Sequence, residues 1–268
     1  MLVLGLVVLL AGAFPIWQAW RANRTRSLLH AVYWAILAWA AWCAFLFAAL
    51  RSSAGLESKA YLALCLTGCA GVAVLGARRP GATAWNFVVV GLLAVNLLPL
   101  IESLMRGGNL DLDAFRATCV AGTVAVGILN YLPTRLAPAA ILLLVGGTLA
   151  FSAIVTEGAE VRLLIGSFLV SCVPWVAYVS FLSRKPAGSE FDYTWFDFRD
   201  RYGFVWAQRV RDQFNRSAAH SAWPVILRWQ GLRLKPGAEM PDEKVQQEIV
   251  STLKALLKRF SNNVREVN

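Results

Sequence analysis

The side chains best equipped for chemistry are few in this chain. It has two histidines, His30 and His220, and five cysteines, Cys43, Cys65, Cys69, Cys119 and Cys172. A serine nucleophile needs a base such as histidine beside it, and only these two exist. The zinc-protease pattern HExxH is absent. His30 could be one axial ligand of a haem, but no second histidine falls in the apolar part of the chain to complete a pair. Cys65 and Cys69 are four residues apart, so on a helix they share a face, and two thiolates could hold a soft ion such as Cu(I). No methionine cluster or CxxC accompanies them, and buried cysteine ordinarily behaves as a small apolar residue. These residues assign no catalytic group, no cofactor and no metal.

The elements that would position them are unusual. The chain of 268 residues is 57% hydrophobic and 16% charged, with mean hydropathy +0.54, against about 25% charged in a soluble domain. Residues 183–268 carry 25 of the charges and the first 182 only 17. Seven runs lack Asp, Glu, Lys and Arg altogether: Met1–Trp20, Ser27–Leu50, Ala60–Ala77, Ala82–Ile101, Ala117–Thr134, Leu136–Val155 and Leu163–Leu182. Each is close to the roughly 20 residues a helix needs to cross the hydrocarbon, and backbone in lipid must pair internally. The composition excludes an ordinary soluble enzyme, a disordered chain and a secreted disulfide scaffold. All five cysteines lie in the runs, so no outside loop supplies a structural disulfide. The fold class expected is mainly α: a polytopic bundle of about seven spans with a small C-terminal α or α+β domain.

A charged residue at mid-membrane usually marks an ion pathway or pump; the seven runs have no acid, lysine or arginine, and His30 lies near the end of the second. A retinal-type Schiff base would need a mid-span lysine, which Leu163–Leu182 lacks. Asn86, Asn96 and Asn130 are the candidate intramembrane polar contacts. Asn96 with Pro99 could mark a broken helix lining a cavity, or one interhelical hydrogen bond beside a proline bend. Small residues recur at four-residue steps in Cys69, Ala73 and Ala77, and in Ala117, Ala121 and Ala125, which suits close packing within a bundle.

Orientation follows from the loops. One set carries Arg21, Arg24 and Arg26, then Arg78 and Arg79, then Arg135, with no acid; Arg184 and Lys185 follow the last span. The other set mixes Arg51, Lys59, Arg106, Arg116 and Arg162 with Glu57, Glu102, Asp111, Asp113, Glu157 and Glu160. Raw counts barely differ, but the first set is denser beside the helix ends, which predicts an N-out, C-in protein of the cytoplasmic membrane. Ala11-Gly12-Ala13 resembles a signal-peptide cleavage site. No base precedes the run, however, and Trp17 and Trp20 follow it, so an anchor helix is expected.

The division expected is a bundle over 1–182, a linker over 183–190 and a cytoplasmic tail over 191–268. An aromatic opening, residues 191–198, precedes a helix expected over Asp197–Ala219. Its stripe of Gly203, Trp206, Ala207, Val210, Phe214 and Ala218 offers Trp206, Val210 and Phe214 as a candidate interaction face. Residues 223–234 suggest a strand or small hairpin. A last helix is expected to start near Pro241, whose missing N–H suits a first turn, with Asp242 and Glu243 beside it. Its apolar face is Val245, Ile249, Leu253, Leu256, Leu257, Phe260 and Val264. The expected partners are the lipid bilayer and a protein met by the tail. Nucleic acid is disfavoured, because bases and acids are interspersed and no known motif occurs. The leading functional expectation is a non-enzymatic membrane protein anchoring a cytoplasmic interaction domain within an assembly. Two others stay open: a carrier or channel for a neutral or lipidic substrate, lined by the three asparagines, and an interfacial enzyme using His220, Glu190 or the tail aspartates.

Overall fold

The computed structural model describes residues 1–52, 55–78, 82–107, 110–156, 159–183 and 189–261. Among the described residues eight helices make the apolar part: α1 (Leu2–Ala11), α2 (Ala13–Asn23), α3 (Leu29–Ala49), α4 (Leu56–Ala73), α5 (Ala82–Arg106), α6 (Ala114–Tyr131), α7 (Ala137–Val155) and α8 (Glu160–Leu182). Pro15 removes the amide that would bond back to Ala11, and α1 and α2 meet at Gly12 as two parts of one span. Seven spans long and apolar enough to cross a membrane result. All seven expected runs are present. The spans ending in α2 and α5 and those starting at α4, α6 and α8 extend past the uncharged runs and take in Arg21, Glu57, Lys59, Glu102, Arg106, Arg116, Glu160 and Arg162, whereas α3 and α7 fall just short of theirs. The run over Ala117–Thr134 is helical from Ala114, because Asp113 caps it by accepting from Arg116 N at 2.8 Å.

The centre of the bundle is α4, which packs on α3, α5, α6 and α7. It crosses α6 where Gly71 meets Gly127: a Cβ on Gly71 would lie 2.6 Å from the Gly127 Cα. The α7–α8 pair closes in the same way, a Cβ on Gly166 lying 2.6 Å from the Gly146 carbonyl oxygen. Cys69, Ala73 and Ala77 are buried as expected of a packing face. Ala117, Ala121 and Ala125 are not. Ala121 is exposed, and α6 packs instead through Val120, Thr123 and Gly127.

The tail begins with α9 (Glu190–His220), followed by a hairpin of β1 (Val225–Arg228) and β2 (Gly231–Leu234), then α10 (Glu243–Leu257) and a 3-10 turn Lys258–Phe260. The hairpin pairs Val225 with Leu234 and Arg228 with Gly231. Two expectations need correction. The aromatic opening 191–198 is already helical: Ser189 accepts from Asp192 N as N-cap, and Phe191, Trp195, Phe198 and Tyr202 form one buried row at three- and four-residue steps. The last helix starts at Glu243, because Asp242 is its cap and Pro241 stands outside it. Val264 and most of the linker expected over 183–190 lie outside the described residues.

One apolar cluster runs from the bundle into the tail. It joins Leu28, Ala31, Cys69, Val74, Ala77 and Val89 to Trp195, Tyr202, Trp206, Phe214 and Phe260. A second cluster, around Phe45, Tyr61 and Leu64, lies within the bundle.

Candidate functional site

The densest polar construction in the described residues is the joint where α9 crosses the bundle. It starts from Gly203, whose φ of 76° and ψ of −171° break α9 into two lengths. That break frees backbone groups, and Asn130, at the end of α6, takes them up: its Oδ1 accepts from Val205 N at 3.0 Å and its Nδ2 donates to Tyr202 O at 3.3 Å. Asn130 is 3% exposed, so these bonds are made away from water, where an unmet polar group is expensive. A side chain at position 203 would run into Asn130 itself. Beside it the Tyr131 hydroxyl donates to Arg201 O at 2.9 Å.

The turn after α6, carrying Pro133, is held next. Asp200 accepts from Arg135 N at 3.3 Å and pairs with Arg135 Nε at 3.2 Å. Its other neighbour is Arg199, with Nη2 at 2.8 Å from Oδ1. Both Arg199 and Asp200 are buried, and a charge survives burial only when paired and hydrogen-bonded. Arg199 Nη1 donates to Trp229 O at 2.8 Å, and Trp229 Nε1 donates to Pro133 O at 2.8 Å. The hairpin tip is thereby tied to the bundle turn.

The third fastening is at the loop before α3. Arg26 pairs with Asp197 at 3.2 Å and forms an antiparallel bridge with Ser261. Ser27 Oγ donates to Ala77 O at 2.6 Å. The Phe260 carbonyl accepts from Ser27 N at 3.1 Å and from the Tyr202 hydroxyl at 2.8 Å. Burial pushes the Tyr202 phenol up from its ordinary value, against the lowering influence of Ser27, Arg26 and Arg201. Trp206 Nε1 donates to Val74 O at 3.1 Å at the end of α4.

The candidate interaction face is therefore occupied from within. Trp206, Val210 and Phe214 are 5%, 2% and 0% exposed and belong to the cluster shared with the bundle. The periodicity located a buried stripe; the surface that buries it is this chain's own. What the tail turns outward is a groove of about 670 Å³ between α10, the hairpin and the start of α9, floored by Phe191, Val225 and Ile249 and open at Met240.

The three asparagines do not converge. Asn130 serves the joint. Asn86 accepts from Trp34 Nε1 at 3.4 Å and lies 3.1 Å from His30 Nδ1. Asn96 donates to Thr123 at 3.4 Å, its backbone carbonyl accepts from the Tyr61 hydroxyl at 2.6 Å, and its Oδ1 is buried without a partner. The Cys65 and Cys69 thiols are directed at separate carbonyls, those of Asn96 and Val89. Tail carboxylates are likewise spread out: Glu190 meets Lys254, Asp192 accepts from Leu232 N, and Asp212 meets Arg211. His220 is exposed at the end of α9.

In the sequence Gly203 reads as a close-packing position or a late start of the helix, whereas it is a break within α9, and nothing there brings Arg135, Arg199 and Asp200 together as a buried set. A signal was present: a glycine in the middle of an unbroken apolar stripe is a candidate break. Nothing local marks which loop arginine Asp200 will meet. The architecture is a bundle of helices, seven spans of it long and apolar enough to cross a membrane, with a tail fastened across one end. No family model matches the chain, and neither do curated proteins or solved structures.

Proposed function

We propose that this is a multi-pass protein of the cytoplasmic membrane, N-terminus outside and tail inside, that presents its tail as a rigid platform for a protein partner within a membrane assembly, without catalysing a reaction of its own. The observation that carries this reading is the joint. The tail is attached at three separate places on the bundle, through Asn130, through Arg135 with Asp200, and through Arg26 with Asp197. A tether needs none of these; a module that must keep its orientation to the membrane does. The loop arginines Arg26 and Arg135 support the inward placement of the tail end, with acids only from the tail itself opposite them.

The test is mild solubilisation of the full chain followed by size analysis and a search for co-purifying protein. A complex larger than the monomer is expected, with Met240→Arg at the groove releasing the partner while thermal unfolding stays unchanged. A strictly monomeric particle whose tail retains nothing would overturn the proposal. A reporter at Asn268 active only outside would overturn the orientation.

A carrier for a neutral or lipidic substrate is the second reading, favoured by one observation: the buried, unmet Oδ1 of Asn96 beside Thr123. It predicts that Asn96→Leu abolishes uptake while leaving the tail complex intact.

A further inference from the structure

The arginines of this protein divide by what they meet. At the end of the bundle away from the tail, Arg106 and Arg116 face Glu102 at 3.9 and 3.0 Å. At the tail-bearing end Arg26 and Arg135 face Asp197 and Asp200. Arg24, Arg78 and Arg209 meet no acid among the described residues. Arg24 lies over the Trp20 ring at 5.0 Å and Arg209 over the Trp206 ring at 5.0 Å, both exposed.

These three share one corner. Trp206, under Arg209, is tied to Val74 O; Ser27, three residues after Arg24, is tied to Ala77 O; Arg78 follows Ala77 directly. The corner is built on the last turn of a spanning helix, so it stands at the depth where headgroups begin. Tryptophan prefers that depth, and a guanidinium held on an aromatic face keeps its donors free for a phosphate.

We propose that Arg24, Arg78 and Arg209 form a binding site for the phosphate headgroup of an anionic phospholipid in the leaflet on the tail side. The site needs the chain to span a bilayer but not a particular orientation, and it is independent of any protein partner. Three cations carried on one corner with no acid beside them among the described residues favour an external anion, and the lipid phosphate is the anion present at that depth at high local concentration. A zwitterionic lipid brings its own ammonium and cancels most of the attraction.

The experiment is native mass spectrometry of the full chain released from nanodiscs of equal phosphatidylglycerol and phosphatidylcholine. Preferential retention of phosphatidylglycerol is expected, falling about fivefold for each arginine changed to glutamine. Arg24→Lys, Arg78→Lys and Arg209→Lys together should keep much of it. Arg51→Gln, at the opposite end over Phe47, should change nothing. If the triple glutamine variant does not fold, the single variants Arg24→Gln and Arg209→Gln carry the test, since both side chains are exposed. Equal retention of the two lipids would overturn the proposal, as would an equal loss in Arg51→Gln. So would complete displacement by millimolar inorganic phosphate, which would make the site one for a free anion, or preference for an acidic peptide over the lipid.

Discussion

Gly203 sits at φ 76° and ψ −171° with the Asn130 amide where a side chain would be. That backbone region is essentially reserved for glycine, at roughly 1–3 kcal/mol for any other residue. Gly203→Ala should therefore destabilise the protein by about 3 kcal/mol, strain and collision together, read as a lower midpoint of thermal unfolding in mild detergent. Asn130→Ala should lower it as well, and the double variant should lose less than the sum, because both act on one contact. Asp200 gives a second residue-scale outcome. Removing it leaves Arg199 buried beside Phe196 and Trp229, at a cost of about 3 kcal/mol. Asp212→Asn, at an exposed pair, should stay within about 0.5 kcal/mol. Tyr202 contributes to the loss of stability at alkaline pH. Its folded-state pKa is raised above the unfolded value of about 10, so between the two the folded state holds the extra proton. The contribution is complete below pH 10 and is lost as pH rises through the folded value. Tyr202→Phe should flatten the fall in stability above pH 10 seen in the unaltered protein.

Helix pairing separates glycines that look alike in sequence. Gly122 and Gly127 both belong to α6, yet a Cβ on Gly122 meets nothing within 4 Å, while one on Gly127 lies 2.8 Å from the Gly71 Cα. Gly122→Ala should be neutral or slightly stabilising, by up to about 1 kcal/mol from helix propensity. Gly127→Ala must push α6 off α4, and a loss of about 2 kcal/mol in a thermal or denaturant titration is expected. The contrast explains what could be read in advance. Apolar length alone places seven helices, since lipid leaves the backbone no other way to satisfy itself. It does not say which side of α6 meets α4. Ala117, Ala121 and Ala125 have the right spacing and the wrong face, because in lipid the outward side is as apolar as the inward one. In the tail, periodicity does find the buried side, through Trp206, Val210 and Phe214, because water penalises the other choice. It cannot name the covering surface, which is Val74, Ala77 and their neighbours, far away in sequence.

Across the whole molecule the bundle and tail share one apolar cluster, and two tail acids neutralise two loop arginines. They should unfold together. Alkylation of Cys69, buried in that cluster, and proteolysis within α10 should show one midpoint on heating; two separated midpoints would mean the tail comes away first. The bridge between Arg26 and Ser261 adds a constraint in time. The first loop of the bundle is made early in synthesis, and its partner at Phe260–Ser261 emerges only after every span and the whole of α9. Until then the Ser27 amide has no carbonyl to reach, and Asp197 has not yet arrived to answer Arg26. The joint is therefore closed between two segments 233 residues apart, the loop at Ser27 and the turn at Phe260. Without the segment that carries Phe260, the Ser27 amide and the Tyr202 hydroxyl would both lose their acceptor, and the shared apolar cluster would lose the ring that packs on Phe198, Tyr202 and Trp206.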